Sequence, residues 1–203
     1  MAAGRSEEAL AVLEPLDGGG YVFDLHRSEA ARRAGRAEAA ERFARASLAQ
    51  APAVSGVHLA LAEALEEQGR LDEAAGSFEE AARLDPASAA PLVGLGRIAE
   101  ARGDLEQAVV FYERAAESRG ASAEALWRHA SLRIEAGEGT GDLLSRISSE
   151  AKNRPRAAIR LARAEAKVGR RGRALARLER ALRASPESTE LRAAQEELRL
   201  GSR

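Results

Sequence analysis

The sequence predicts an all-α fold, an α-solenoid of antiparallel helix pairs, and three observations support this prediction. First, a Gly is followed five residues later by an Ala and seventeen residues later by a Pro or a second Gly, in the sets Gly35, Ala40, Pro52; Gly69, Ala74, Pro86; Gly103, Ala108, Gly120; and Gly169, Ala174, Pro186. Second, the first three of these glycines are spaced 34 residues apart. Third, apolar residues between them recur in steps of three and four, which is the spacing of one helix face. A unit repeated at this period is typical of a solenoid.

Each unit is predicted to be two helices joined by a tight turn, and residues 55–88 show why. Gly69 supplies the left-handed residue that ends the first helix, and Pro86 stands just beyond the end of the second helix. Between these two breakers Asp72 and Glu73 stand three and four residues after Gly69, where they favour the positive start of a helix. The small residues Ala62 and Ala74 would let the two backbones approach closely.

This pattern resembles the tetratricopeptide repeat, a family built from 34-residue helix–turn–helix units. The signature positions are occupied by Leu61, Ala62, Gly69, Ala74, Phe78, Ala81 and Pro86; by Leu95, Gly96, Gly103, Ala108, Tyr112 and Ala115; and by Leu161, Ala162, Gly169, Ala174, Leu178, Ala181 and Pro186. The resemblance implies a right-handed solenoid. It divides the chain into units 21–54, 55–88, 89–122, 123–154 and 155–188.

Two of these units depart from the pattern. Residues 21–54 place Arg27 and Ser28 where the first helix should present an apolar and a small residue, so we expect this helix to pack poorly. Residues 123–154 contain the stretch GEGTGDLLSR, which predicts a longer turn between the helices. Leu143, Leu144 and Ile147 would then form the core face of the second helix.

The two ends are predicted to be incomplete units. Residues 1–20 hold a half repeat and a linker, because Gly4, Ala9 and Leu13 reproduce only the second half of a unit. Either this half repeat caps the array, or the chain is the tail of a longer protein. Residues 189–203 are expected to form a capping helix with Ser188 as its N-cap, since such arrays require a polar terminal helix.

The composition limits the function classes. The absence of Cys excludes disulfides and thiolate metal sites, and the three His residues show no metal-ligand spacing. No apolar run approaches the roughly 18 residues needed to span a bilayer, and the first ten residues lack the apolar segment of a signal peptide. We therefore expect a cytoplasmic protein. All but two of the 31 basic residues are Arg, which we interpret as the codon bias of a GC-rich bacterial genome.

The charge is strongly polarised along the chain, although the formal net charge is only −1. Residues 53–118 carry 5 basic and 13 acidic side chains, whereas residues 119–203 carry 19 basic and 11 acidic ones. Residues 152–183 hold 12 basic side chains and only Glu165 and Glu179 as acids. This distribution is typical either of a solvated helical surface or of an anion-binding surface, and opposite charges at the two ends also permit assembly of copies.

The resemblance implies which side chains line the concave groove, because in this family the second, fifth, ninth and twelfth residues of each first helix do so. In the last full unit these are Arg156, Ile159, Arg163 and Ala166, with Arg160 and Lys167 adjacent. The fifth positions form an apolar line of Leu25, Leu59, Val93, Trp127 and Ile159. Trp127 fits a groove residue and a core residue equally well.

The function predicted from these residues is a non-catalytic scaffold that binds a protein segment in its groove. An acidic and apolar peptide would suit this surface, with contacts from Leu59, Val93, Trp127, Arg156, Arg160 and Arg163. No catalytic pair, phosphate loop or cofactor motif occurs, and the chain lacks the charge and aromatic pattern of a nucleic-acid binder. A tail of a larger enzyme and a homotypic assembly module are the alternatives.

Overall fold

The computed structural model describes residues 7–8, 11–12, 19–118, 123–140, 143–150 and 155–200. Regular secondary structure within these ranges is entirely helical. The signature residues Gly4, Ala9 and Leu13 of the predicted half repeat lie outside the described residues. So does the 16–18 part of the predicted linker.

The described helices follow one another as short antiparallel neighbours and fall into two compact units, Met1–Ala121 and Ser122–Arg203. Unit 1 contains α1 (Gly20–Arg33), α2 (Ala37–Gln50), α3 (Ser55–Glu67), α4 (Leu71–Leu84), α5 (Ala89–Ala101) and α6 (Leu105–Glu117). Unit 2 contains α7 (Ala123–Glu135), α8 (Leu143–Glu150), α9 (Pro155–Lys167), α10 (Arg171–Ala184) and α11 (Thr189–Leu200). In each unit, consecutive helices pack as pairs.

The turn inside each pair closes in the same way. Gly69 has a φ of +74°, and the N–H of Arg70 donates to the carbonyl oxygen of Leu65 at 3.0 Å. This hydrogen bond satisfies a helix-end carbonyl group in the arrangement known as a Schellman motif. The same geometry recurs at Gly35, Gly103, Gly137 and Gly169. Glycine is required at these positions because other residues rarely adopt a positive φ.

Helices in unit 1 approach closely where small residues face aromatic rings. A side-chain carbon added at Gly94 would overlap the ring of Phe78, and one added at Gly96 would lie 2.6 Å from the ring of Tyr112. Both rings are fully buried. The aromatic rings therefore fill the space that the two glycines leave open.

The expectation that the first helix of residues 21–54 packs poorly is wrong. Ser28 is 1% exposed, and its hydroxyl donates to the carbonyl oxygen of Ala40 at 2.9 Å. The guanidinium of Arg27 lies 4.6 Å from the ring centroid of Phe43 and pairs with Asp24 at 3.3 Å. Ser28 thus serves as the small interface residue with its polar group satisfied, while Arg27 covers an aromatic ring.

The long turn predicted after Gly137 is confirmed, because the five described residues 136–140 that follow α7 are not helical, whereas only three residues separate α3 from α4. Leu143, Leu144 and Ile147 are all buried, as expected for the core face of α8.

The last described helix closes unit 2. The N–H of Leu191 donates to the Ser188 hydroxyl at 3.3 Å, which confirms Ser188 as the N-cap of α11. Leu191 and Ala194 of α11 are buried in a cluster with residues of α9 and α10, among them Ile159 and Leu178. Helix α11 therefore covers the apolar face that the last complete pair would otherwise expose.

Candidate functional site

The predicted apolar line is mostly covered by the protein's own packing. In unit 1, Leu59 is half-buried and Val93 is 5% exposed. In unit 2, Ile159 and Trp127 are also buried, at 8% and 9% exposed. A continuous exposed apolar wall is therefore not present among these described residues, because their side chains contribute to the core instead.

The first helices of unit 1 are joined by ion pairs. Arg32 of α1 contacts Glu63 at 3.3 Å and Glu67 at 3.2 Å, both on α3. Arg97 of α5 contacts Glu66 of α3 at 2.6 Å. Burial raises the pKa of Glu63, and the nearby Arg32 opposes this rise. Both of these cations on this face of unit 1 are thus paired within the unit.

Three of the four basic residues predicted in unit 2 meet at a cleft between α7 and α9, and Arg156 does not line it. Its volume is about 220 Å³, and its lining includes Trp127 and Ser131 of α7 with Arg160, Arg163 and Lys167 of α9. A second hollow of about 360 Å³ shares Trp127, Ser131 and Arg160 with it. We treat the two as one surface and call it the α7–α9 cleft.

Trp127 combines the two roles that the sequence left open. Most of its side chain is buried, yet the ring also borders the α7–α9 cleft. The guanidinium of Arg160 lies 4.5 Å from the ring centroid, within the range of a cation–π contact. Trp127 therefore holds a cleft cation in place rather than offering a broad apolar surface.

The basic side chains of α9 divide into two groups. Arg163 contacts Glu197 at 2.6 Å and Arg156 contacts Glu190 at 3.6 Å, and both glutamates belong to α11. Arg160 and Lys167 have no ion pair with any residue that the structure describes. Two carboxylates, those of Glu135 and Glu124, also line the α7–α9 cleft. The uncompensated positive charge of the cleft is therefore smaller than the charge count of the sequence indicates.

The acidic partners on α11 were missed at the sequence level, although a signal was present. Glu190 follows Arg156, and Glu197 follows Arg163, by 34 residues in each case. This separation equals the repeat period, which places the residues at equivalent positions on neighbouring first helices. A search for opposite charges one period apart would have found both pairs.

The chemistry available at the cleft is binding of anions. Arg160, Arg163 and Lys167 supply donors, and the edge of the Trp127 ring borders them. Over the described ranges no group of His, Asp and Glu residues is arranged to hold a metal ion, and no helix has the length and apolar character of a membrane span.

Comparison with known proteins defines the class. The family model described as "Tetratricopeptide repeat" matches residues 25–89 and 59–125. This match and the repeated helix pairs show that the chain belongs to the tetratricopeptide repeat family, as the sequence predicted. No curated protein matches the sequence significantly.

Solved structures with the same fold include three with TM-scores above 0.5. A structure described as the functional characterisation of pilF from Pseudomonas aeruginosa has a TM-score of 0.71 at 19% identity, covering 96% of this chain and 90% of that one. The structure of the MamA protein has a TM-score of 0.63 at 19% identity, covering 84% of this chain and 94% of that one. The structure of TTC0263, a thermophilic tetratricopeptide repeat protein of Thermus thermophilus, has a TM-score of 0.58 at 21% identity, covering 89% of this chain and 100% of that one.

These identities establish the fold alone. Arrays of this family serve in general as scaffolds for protein interaction and are in general non-catalytic. The partner and the binding residues must be argued from this chain's own site.

Proposed function

We propose that this protein is a non-catalytic scaffold that captures an acidic, partly apolar segment of a partner protein in the α7–α9 cleft. The observation that supports this proposal most directly is the state of Arg160. Its guanidinium is held 4.5 Å from the Trp127 ring and has no ion pair with a described residue. A preorganised cation loses less conformational entropy when it binds a carboxylate than a freely rotating one does.

The spacing of the cations specifies the ligand further. Arg160 and Lys167 are seven residues apart on α9, which corresponds to roughly 10 Å along the helix axis. An extended peptide covers about the same distance in three residues. A segment with two carboxylates three positions apart, separated by apolar residues, would therefore contact both cations and the edge of Trp127.

Binding of such a segment is expected to be moderate. Exposed ion pairs contribute about 0.2–1 kcal/mol each, and the neighbouring Arg163 is already paired with Glu197. Most of the selectivity would come from the Arg160–Trp127 pair, where one face of the cation is shielded from water. We expect micromolar affinity that falls as the salt concentration rises.

Trp127 offers a direct test because it is the only tryptophan in the chain. A synthetic peptide containing Glu-Leu-Leu-Glu and no tryptophan should change the Trp127 emission in a saturable manner. The double variant Arg160→Gln/Lys167→Gln removes two such ion pairs and should weaken binding roughly 2- to 30-fold. A matched control, Arg170→Gln/Arg183→Gln, removes the same charge from exposed positions outside the cleft and should bind like the original protein. Equal loss in both variants, or in neither, would contradict a site at this cleft.

A further inference from the structure

Unit 2 has a second cleft, separate from the proposed partner site and built mainly by the second helices of its pairs. Its volume is about 330 Å³, and its lining includes Ser145 of α8, Glu165 of α9, and Arg173, Arg177 and Arg180 of α10. We call it the α8–α10 cleft. None of these residues belongs to the α7–α9 cleft.

A buried ion pair forms part of this cleft. The Arg177 Nε donates to Glu165 Oε2 at 3.0 Å, and Nη2 donates to Oε1 at 2.9 Å. Glu165 is only 2% exposed. The two parallel hydrogen bonds fix the plane of the guanidinium and cancel its charge.

This ion pair is not a requirement of the repeat. The position of Glu165, four residues before the turn glycine, is occupied in unit 1 by the buried apolar residues Ala31, Leu65 and Ala99. Buried ion pairs are often no more stabilising than an apolar contact of similar volume, because both charges lose their hydration. The last unit thus holds a polar group rigidly at a place where packing alone would accept an apolar side chain.

Two further arginines flank this pair on the same face of α10. Arg173 lies four residues before Arg177 and Arg180 lies three residues after it, which is the spacing of helix neighbours. Both are exposed, and neither has an ion pair with a described residue. Because the Arg177–Glu165 pair is neutral overall, the described residues that line the cleft carry a net charge of two positive units, from Arg173 and Arg180.

The surface of α10 beside these arginines is formed by small residues, so a second helix can approach closely. Gly172 and Ala176 are exposed and one turn apart on α10, and a side-chain carbon added at Gly172 would meet no atom within 4 Å. Small residues of this kind permit close packing of helix backbones. Arg173 and Arg180 are separated by two turns, or roughly 10 Å along the axis.

We propose that the α8–α10 cleft docks an acidic α-helix of a partner protein whose two carboxylates are seven residues apart. Such a helix repeats the spacing of Arg173 and Arg180, so both ion pairs form in one register. The fixed, neutral Arg177–Glu165 pair lies between them and holds this part of the surface in place without adding charge. This inference does not depend on the proposed function of the α7–α9 cleft.

Two synthetic helical peptides of identical composition test the spacing. One carries its glutamates seven residues apart on a single face, and the other carries them five residues apart on different faces. We expect the first peptide to bind at least fivefold more tightly in fluorescence anisotropy at low salt. Equal affinity of the two peptides would show general attraction between opposite charges and would overturn the proposal.

Variants of the protein then locate the site. Arg173→Gln/Arg180→Gln should abolish the preference for the seven-residue spacing, whereas Arg160→Gln/Lys167→Gln should retain it. The opposite result would assign the helix to the α7–α9 cleft and overturn the present assignment. Because loss of Arg177 alone would leave Glu165 buried without its partner, the fixed pair is tested by the double change Glu165→Leu/Arg177→Leu. This variant should stay helical by circular dichroism and bind the first peptide at least threefold more weakly. Unchanged affinity would show that the ion pair is not part of the binding site.

The occupant is tested by sedimentation velocity at low and high salt. The protein should show no association that depends on Arg173 and Arg180. Association that disappears in Arg173→Gln/Arg180→Gln would assign the cleft to a second copy of the chain and would overturn docking of a partner helix.

Discussion

Units 1 and 2 use the same helix pair but differ in which of the cations at their surfaces are paired. In unit 1, cations are paired with acids of neighbouring repeats, as Arg97 is with Glu66 and Arg70 is with Glu41. In unit 2, Arg156 and Arg163 are paired in the same way, but Arg160 and Arg173 lie at clefts and have no ion pair with a described residue. The repeat pattern therefore sets the fold, whereas the pairing of charges decides which surface remains available for binding.

The cores differ in a related way. Unit 1 fills the space between helix pairs with aromatic rings, such as Phe78 against Gly94. Unit 2 has Leu178 at the equivalent position and places the Glu165–Arg177 ion pair nearby. Breaking a buried ion pair is strongly destabilising, so this contrast leads to the largest expected effect.

Removing one partner of the buried pair should be the most destabilising change. Arg177→Ala leaves the Glu165 carboxylate buried and uncompensated, which we expect to cost about 3–5 kcal/mol. Thermal unfolding monitored by circular dichroism would measure this loss. The control Arg173→Ala, an exposed change on the same helix, should alter stability by less than about 0.5 kcal/mol. Similar midpoints for both variants would contradict a structural role for the pair.

Overpacking should be the main effect in the core of unit 1. Gly94→Ala places a methyl group against the buried ring of Phe78, and we expect a loss of about 1–3 kcal/mol. Gly76→Ala is the matched control, because this helical glycine has open space around it. That change should instead stabilise the protein by about 0.5–1 kcal/mol. The two variants should therefore shift the urea midpoint in opposite directions.

Charge compensation by α11 should limit binding at the α7–α9 cleft. Glu197→Gln frees Arg163 from its exposed ion pair, which is worth about 0.2–1 kcal/mol, so the acidic test peptide should bind roughly 1.5- to 5-fold more tightly. Titration of Trp127 fluorescence measures this change. Glu196→Gln removes the same charge from the adjacent position, and an equal gain there would indicate only a change in net charge.

The smallest expected effect concerns the pH dependence of unit 1. Burial opposes ionisation of Glu41, but hydrogen bonds from Gln68, Arg45 and Arg70 outweigh it and lower the pKa of the carboxyl group. A carboxyl group with a lowered folded-state pKa contributes stability above its unfolded pKa of about 4.3 and loses it as the pH falls through the folded value. Glu41→Gln should therefore reduce the thermal midpoint slightly at pH 7 and much less at pH 3.

Several features of the structure were predictable because they depend on local chemistry. Gly69 and its equivalents end a helix through a positive φ, and Ser188 caps α11 with its own hydroxyl group. The packing around Arg27 and Ser28 was not predictable from residue type. It depends on Phe43 and Ala40 of the next helix, which accept these side chains in a particular geometry.

The candidate sites likewise combine features that the sequence predicted with features that it did not. The sequence predicted the basic character of α9. In the structure, Arg156 and Arg163 pair with Glu190 and Glu197, whereas Arg160 and Lys167 line the cleft without an ion pair to a described residue. Trp127 proved to be mainly buried and stacked with Arg160. The α8–α10 cleft could not be inferred at all, since it depends on contacts among three helices.

The sequence by itself determined the family, the helix pairs and their turns, because glycine conformation, helix caps and apolar periodicity act over only a few residues. Only the tertiary structure decided which charges are neutralised and which remain available, since an ion pair needs two side chains within about 4 Å whatever their separation in the chain. Arg163 and Arg160 are both basic groove candidates of one helix, yet one is held by Glu197 and the other lies over Trp127.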